Sequence, residues 1–324
     1  ATAGEDGTVR LWDLKGNQLT KFSADSGKKL LEVSFSPRDG QQLATAGEDG
    51  TVRLWDLKGN QLAQCKGHER EVYSISFNPD GSRLATAGED RTARLWDLEG
   101  NQLAQCKGHE REVESISFTP NGQQLVTSSN DGTIRLWDLD GNQLAQFKGG
   151  KLGGGVFFSI SPDGKYLATG GYEGITRLWN LSHLWDSSVE PMATCKGRHW
   201  EVRSIDFIKS TDLGCKYLVA TSGSEGTVRV WNLEGQQLAE FRHISQHVID
   251  SEYYVESVSF SPDGSLLATA GSDETAKLWR IESFEELMVR GCDWLRYYLE
   301  NNSNVDESDR RICDNVPATG VNPH

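Results

Sequence analysis

The stretch "GHEREVYSISFNPDGSRLATAGEDRTARLWD", from Gly67 to Asp97, is one full unit of a pattern that recurs along the 324-residue chain. The tryptophan of its "RLWD" segment has equivalents at intervals of 41 to 52 residues. These equivalents are Trp12, Trp55, Trp96, Trp137, Trp179, Trp231 and Trp279. The pattern therefore divides residues 1–281 into seven units.

Each unit predicts four short antiparallel strands and almost no helix. Runs rich in Val, Ile, Thr and aromatic side chains alternate with turns such as "NPDG" (Asn78 to Gly81). A four-stranded unit of about 40 residues cannot bury both faces alone, so the units must stack on one another. The small residues of "LATAG" (Leu84 to Gly88) suit the narrow region where radially stacked units converge.

The quoted unit and its relatives resemble the WD-repeat (WD-40) family over residues 1–281. The resemblance implies an all-β fold, a seven-bladed WD-repeat β-propeller whose blades each have strands a, b, c and d from the axis outward. Beyond it, residues 282–324 predict a short α-helical C-terminal extension. "SFEE" (Ser283 to Glu286) is a capping box, a second short helix is expected from Glu307 to Cys313, and the end of the tail is expected to be disordered.

The strand order also predicts where the chain is interrupted. In the family, the N-terminus usually supplies the outer strand of the last blade. Here "ATAG" at Ala1 to Gly4 already corresponds to strand b of blade one, and blade seven ends at "TAKLWR" (Thr275 to Arg280). One preceding segment of about 20 residues would supply both missing strands. We therefore expect an N-terminally truncated piece of a longer protein.

Composition narrows the possible partners. The chain has 33 basic and 47 acidic residues, a net charge of −14, which argues against nucleic acid or an anionic membrane as partner. No apolar run is long enough to span a membrane. The six cysteines include no C-x-x-C pair, and Cys65, Cys106 and Cys195 lie at equivalent positions of different blades. Free thiols and a cytoplasmic location are therefore expected.

Two sets of residues resemble acid–base sites but have a structural explanation in the family. There, a His, a strand-b Thr, a turn Asp and the strand-c Trp form a buried hydrogen-bond chain. We expect complete chains in two blades, and we interpret them as structural because they satisfy buried polar groups. These tetrads are His68, Thr86, Asp90 and Trp96, and His109, Thr127, Asp131 and Trp137.

The sequence contains no motif that predicts catalysis. "GGKLGGG" (Gly149 to Gly155) lacks the Ser or Thr and the following helix of a phosphate loop. No metal-ligand cluster and no nucleophile motif occur, so neither a metal nor a cofactor is expected. We predict that the chain is not an enzyme.

The loops joining strands d and a, and strands b and c, open onto one end of the propeller, here called the top face. Departures from the repeat there predict partner contacts. Glu48 and Glu89 form an acidic side, and Tyr172, Trp200, Tyr253 and Tyr254 an aromatic side; packing of these aromatics against their own loops is the alternative. At the top of strand a, around the axial mouth, stand Leu31, Tyr73, Glu114, Val156, Arg203 and Glu256.

The tail suggests a setting for the propeller. "RGCDWLRYYLENNSNVDESDRRICD" (Arg290 to Asp314) resembles the closing segment of bacterial, especially cyanobacterial, multidomain WD-repeat proteins. In many of those, a NACHT or NB-ARC-type NTPase, a kinase, or a caspase-like or TIR effector precedes the propeller. We expect an interaction and sensor module of a larger intracellular signalling protein, binding other proteins or an upstream domain of the same chain. The alternative is a free-standing scaffold subunit.

Overall fold

The protein is described by a computed structural model. It describes residues 1–13, 15–24, 27–149, 156–181, 190–197, 201–209, 216–224, 226–243 and 254–281, and also Val289, Cys292, Leu295 and Cys313. In these residues 26 strands form seven antiparallel sheets, the blades of a β-propeller. The predicted all-β, seven-bladed fold is therefore confirmed.

The strands of the first four blades follow one another in chain order. Blade one comprises β1 (Thr2–Ala3), β2 (Thr8–Trp12) and β3 (Gln18–Ser23). Blade two comprises β4 (Leu30–Phe35), β5 (Gln42–Gly47), β6 (Thr51–Asp56) and β7 (Gln61–Lys66). Blade three comprises β8 (Val72–Phe77), β9 (Arg83–Gly88), β10 (Thr92–Asp97) and β11 (Gln102–Lys107). Blade four comprises β12 (Val113–Phe118), β13 (Leu125–Ser129), β14 (Thr133–Trp137) and β15 (Gln143–Lys148).

The last three blades continue the same order. Blade five comprises β16 (Val156–Ile160), β17 (Tyr166–Gly171), β18 (Ile175–Asn180) and β19 (Ala193–Lys196). Blade six comprises β20 (Val202–Lys209), β21 (Tyr217–Gly223), β22 (Thr227–Trp231) and β23 (Gln237–Arg242). Blade seven comprises β24 (Val255–Phe260), β25 (Leu266–Gly271) and β26 (Ala276–Arg280). From blade two to blade seven, the first strands of successive blades lie next to one another, so strand a is innermost.

Aspartate side chains close the turns between strands c and d. Asp56 closes the turn between β6 and β7, because its Oδ1 accepts the backbone N–H groups of Lys58 at 2.9 Å and Asn60 at 2.8 Å. Gly59 in this turn has φ of 87°, the left-handed region that favours glycine. Equivalent carboxylates close the same turn at Asp13, Asp97 and Asp138.

The hydrophobic core lies between blades. Small and branched side chains of blades three and four are buried together at their junction: Ala85, Ala87, Leu95, Val113, Ile116, Phe118 and Trp137. Burying one large apolar side chain contributes about 1.5–3 kcal/mol. Packing between neighbouring sheets therefore holds the ring together.

Blades one and seven have three strands each, whereas the five others have four. Side chains on both blades are correspondingly exposed: Trp12 is 41% exposed and Leu278 71%, compared with 1% for the equivalent Trp96 and Leu95. These exposures follow because no strand covers them among the described residues. The truncation of the chain and the boundary at residue 281 stay predictions.

The C-terminal tail is described at four positions. Val289, Cys292 and Leu295 are helical, and Cys313 lies in a 3₁₀ turn; the rest of the predicted extension lies outside the described residues. A disulfide joins Cys292 to Cys313, with the two Cα atoms 5.5 Å apart. The expectation of free thiols was wrong for this pair, since two cysteines 21 residues apart carry no spacing motif that indicates pairing.

The three cysteines of the outer strands are free, as predicted. Cys65, Cys106 and Cys195 are buried in separate blades, and burial raises the pKa of each thiol to about 12. Such thiols are almost wholly protonated at neutral pH, so they are poor nucleophiles. In the described part of the chain, no helix is long and apolar enough to cross a membrane.

Candidate interaction surface

The tetrad of blade three links a top loop to the sheet. Thr86 Oγ1, on β9, lies 2.8 Å from His68 Nε2 and accepts the Trp96 Nε1–H at 2.8 Å. His68 Nδ1 lies 3.0 Å from Asp90 Oδ2. Blade four repeats the arrangement with His109, Thr127, Asp131 and Trp137, in which all three distances are 2.8 Å.

Proton positions in these tetrads follow from which atoms can donate. An ionised Asp90 only accepts, so His68 Nδ1–H donates to it, and His68 Nε2 accepts the Thr86 hydroxyl proton. In blade four, burial lowers the pKa of His109 below its ordinary value, which favours the neutral ring. Burial alone would raise the pKa of Asp131, but hydrogen bonds from His109 and Thr133 hold it below its ordinary value.

The tetrads place a Thr, a His and an Asp in the order of a hydrolase triad, yet their geometry serves the fold. The Thr86 and Thr127 hydroxyls are wholly buried and each already accepts a tryptophan N–H. A substrate carbonyl has no route to either oxygen. The chain of donors instead satisfies buried polar groups at the top of the blade.

Blade seven contains a third tetrad, so the prediction of only two was wrong. His243 Nδ1 lies 2.7 Å from Thr269 Oγ1, which accepts the Trp279 Nε1–H at 2.9 Å, and His243 Nε2 lies 3.1 Å from Asp273. The ring is turned over relative to His68, with its two nitrogens exchanged. The tetrad was missed because His243 follows the outer strand as "FRH", one residue earlier than the His of "CKGH".

Blades without a tetrad histidine satisfy the turn acid from within the sheet. In blade two, Arg53 approaches Asp49 to 2.6 Å, and in blade five Arg177 contacts Glu173. The equivalent arginine stands farther from the turn acid where a histidine is present, at 3.2 Å in blade three and 3.8 Å in blade four. Arginine from strand c therefore takes over the histidine's contact with the turn acid, and in blade five Arg177 also donates to Gly149 O, just after the preceding outer strand, at 3.2 Å.

The acidic side of the top face surrounds Tyr73. Burial and then the carboxylates of Glu89, Glu71, Glu114 and Glu112 raise the pKa of Tyr73 to about 12. The phenol therefore stays neutral in a strongly negative environment.

Some carboxylates of the acidic side have partners. Glu89 pairs with Arg70 at 2.6 Å, and Glu114 accepts a hydrogen bond from Asn130 Nδ2 at 2.5 Å. The backbone N–H of Glu48 donates to Lys29 O at 3.1 Å, which joins the top turn of blade two to the loop that precedes β4.

Two other predicted contacts are accessible and one is not. Leu31 is 39% exposed on the inner strand of blade two, and Tyr172 is 54% exposed on the top turn of blade five. Val156 is 1% exposed and belongs to the apolar core between blades four and five. Its predicted contact with a partner is corrected, because β16 begins at Val156 and turns that side chain into the junction.

Arg203, Glu256 and Tyr254 contact one another across the junction of blades six and seven. Arg203 pairs with Glu256 at 3.0 Å and Glu201 at 3.2 Å, and its guanidinium carbon lies 3.9 Å from the centre of the Tyr254 ring. These side chains cross-link two blades, which a sequence without tertiary contacts could not indicate. Trp200 and Tyr253 lie outside the described residues.

The exposed side chains of the top face determine its chemical character. Within the described ranges, no group of three or more His, Cys, Asp and Glu side chains is placed to hold a metal ion. What the face offers is accessible apolar and aromatic area beside unpaired carboxylates. Fold and surface together define the class of WD-repeat β-propellers.

Comparison with known families agrees with this class. A family model described as WD domain, G-beta repeat matches residues 238–280. A second, described as IFT122 first beta-propeller, matches residues 29–255, and the chain belongs to this β-propeller family. No curated protein matches the chain.

Proposed function

We propose that the chain is a non-catalytic protein-interaction propeller whose top face binds a partner around Tyr73. One observation carries the proposal: Leu31 and Tyr73 stand at equivalent positions of adjacent blades, beside Glu71 and Glu112. An exposed leucine and a partly exposed tyrosine next to negative charge suit a segment that combines a hydrophobic side chain with Lys or Arg.

The site is centred on blades two to four. Arg203 on the opposite side is occupied by Glu201 and Glu256 and adds no free positive charge there. A negatively charged ligand such as nucleic acid would meet repulsion around Tyr73. The partner is therefore a protein, either a separate chain or an upstream domain.

The wider role follows the resemblance of the tail. We place the propeller as the interaction and sensor module of a larger cytoplasmic signalling protein of bacterial type. A free-standing scaffold is the second candidate. Deleting the propeller from the natural protein separates the two, because a sensor module changes the activity of the upstream domain and a scaffold loses complexes while that activity is unchanged.

Site-specific photo-crosslinking tests the surface. A photoreactive amino acid at position 31 should cross-link a cellular partner, whereas the same group at position 80, on a turn at the opposite end of blade three, should not. Glu112→Lys should lower the yield from position 31, and Asp80→Lys, with the same charge change, should leave it intact. Equal yields from positions 31 and 80, or no effect of Glu112→Lys, would overturn the assignment.

A further inference from the structure

Hydrogen bonds between neighbouring blades stitch some of the inner strands together around the axis. Between blades three and four, the backbone N–H groups of Ile116 and Phe118 donate to Ser74 Oγ and Ser76 Oγ, both at 3.3 Å. Each bond joins a side chain of one inner strand to the backbone of the next. The two inner strands are thereby held at a fixed separation.

The same stitching occurs at two other junctions. Between blades six and seven, Val258 N donates to Ser204 Oγ at 3.2 Å and Phe260 N to Asp206 Oδ2 at 2.7 Å. Between blades two and three, Ile75 N donates to the Glu32 carboxylate. Blades two to four and blades six to seven therefore form two stitched arcs. In the described residues β16 of blade five has no such bond to β20 either, where Phe207 N donates to Asp206 Oδ1 instead.

The junction of blades four and five lacks these bonds although its serines are present. Ser115 and Ser117 of β12 occupy the positions of Ser74 and Ser76, and Phe158 and Ile160 of β16 supply the backbone N–H groups. No hydrogen bond joins β12 to β16, both of which are described in full. The inner strands are also spaced differently here: β12 and β16 lie farther apart than the other neighbouring inner strands of blades two to seven, the pair β16 and β20 included.

Phe158 accounts for the difference. Phe158 pairs with the strand-b residue Thr169 of its own sheet. Isoleucine pairs with the equivalent threonine in three other blades: Ile75 with Thr86, Ile116 with Thr127, and Ile205 with Thr221. An aromatic ring thus stands where other inner strands have isoleucine or valine, and it packs against the core shared by blades four and five. A larger side chain in a close-packed junction forces the neighbouring backbone away.

A second observation comes from the facing strand of blade four. Ser128 on β13 is wholly buried, and its hydroxyl has no hydrogen-bond partner among the described residues. Its equivalent Ala87 packs against Val113 and Ile116 of the next blade, so Ser128 faces blade five. Ser128 therefore offers a buried position at which separation of the two blades can be measured.

We propose that the junction of blades four and five is the seam at which the propeller opens, with Phe158 as the wedge that holds its inner strands apart. The protein then has a state in which blades four and five are packed together and a state in which they separate along one radial plane. A partner that binds the two states differently would shift their populations. The inference goes beyond partner binding, since it concerns the ring itself.

Native-state thiol labelling of the full chain tests the seam. Ser128→Cys places a thiol in the unstitched junction. Ser222→Cys is the matched control, because Ser222 is also wholly buried and unpartnered in the described structure, but faces the doubly stitched junction of blades six and seven. Peptide mapping by mass spectrometry separates these thiols from the native cysteines. We expect Cys at position 128 to be labelled at least ten-fold faster than Cys at position 222.

A second variant tests the wedge. Phe158→Ile added to Ser128→Cys should slow labelling at position 128 toward the rate at position 222. Phe158→Val, the residue of blade seven, replaces it if the isoleucine variant is misfolded by circular dichroism. Equal labelling at positions 128 and 222 would overturn the seam, and fast labelling that neither Phe158 variant slows would overturn the wedge.

Discussion

Replacing Glu32 with glutamine should change the pH dependence of stability more than any other single substitution of a carboxylate on the inner strands. Glu32 lies on β4, at a position where most other inner strands have serine, and its carboxylate accepts the backbone N–H of Ile75 from the next blade. Burial raises the pKa of Glu32 to about 7, against opposing hydrogen bonds from Ile75 and Ser74. The folded protein therefore favours the protonated carboxyl.

The sign and size follow from linkage between protonation and folding. The pKa of Glu32 is higher in the folded chain than its ordinary value of 4.5. Its stabilising contribution to the free energy of unfolding is therefore fully present below pH 4.5 and is lost as pH rises through 7. Each unit of pKa difference corresponds to about 1.4 kcal/mol, so the loss approaches about 3 kcal/mol at pH 8. Glu32→Gln keeps the acceptor oxygen for Ile75 but cannot ionise.

Denaturant unfolding of both proteins between pH 4.5 and 8 measures the effect. The two free energies of unfolding should agree at pH 4.5, and Glu32→Gln should exceed the parent by about 2–3 kcal/mol at pH 8. Glu69→Gln, at an exposed position of a top loop, makes the same charge change and should show no such divergence. Parallel pH profiles for the parent and Glu32→Gln would refute the reasoning.

Three further substitutions test buried contacts and one strained turn. Ser128→Ala should raise the free energy of unfolding by about 1 kcal/mol, because the Ser128 hydroxyl is unpartnered in the described structure. Ser129→Ala should lower it by about 1–2 kcal/mol, because it removes the hydrogen bonds of Ser129 with Arg111 O and Asp131 N. Denaturant unfolding compares the two variants. Arg91→Gly should stabilise the protein by about 1 kcal/mol, because Arg91 has φ of 64° at a turn position where five of the other blades have glycine; an unchanged melting temperature would contradict it. His243→Ala should cost about 2–4 kcal/mol by leaving a cavity and unpaired Thr and Asp side chains, and a neutral result would show that the third tetrad does not contribute.

The sequence predicted the fold well because its local signals repeat. Trp96 and its equivalents mark strand c, and Pro-Asp-Gly turns such as Pro79 to Gly81 mark the link between strands a and b. Every blade repeats these signals at nearly fixed offsets, so an ambiguity in one unit is resolved by its neighbours. The same alignment located all four residues of each tetrad in blades three and four.

The exposure and the contacts of the predicted site residues could not be read from the sequence. Val156 and Tyr73 occupy equivalent places in the alignment, yet Val156 is buried and Tyr73 is partly exposed, because β16 begins differently after the glycine-rich loop. The sequence also does not show that Arg203 is paired with Glu201 and Glu256. Such differences arise from side-chain contacts between blades, which a single sequence does not specify.

The two ways of satisfying the turn acid determine which parts of the top face are rigid. In blades three and four the turn acid also accepts the loop N–H next to the histidine, from Glu69 at 3.3 Å and from Glu110 at 3.1 Å. The loops that carry the carboxylates around Tyr73 are therefore fixed before any partner arrives. A surface already ordered in the free protein loses less conformational entropy on binding. The histidines thus act on recognition through the loops they anchor in blades three and four, whereas in blade two Arg53 and Thr51 satisfy Asp49 from within the sheet.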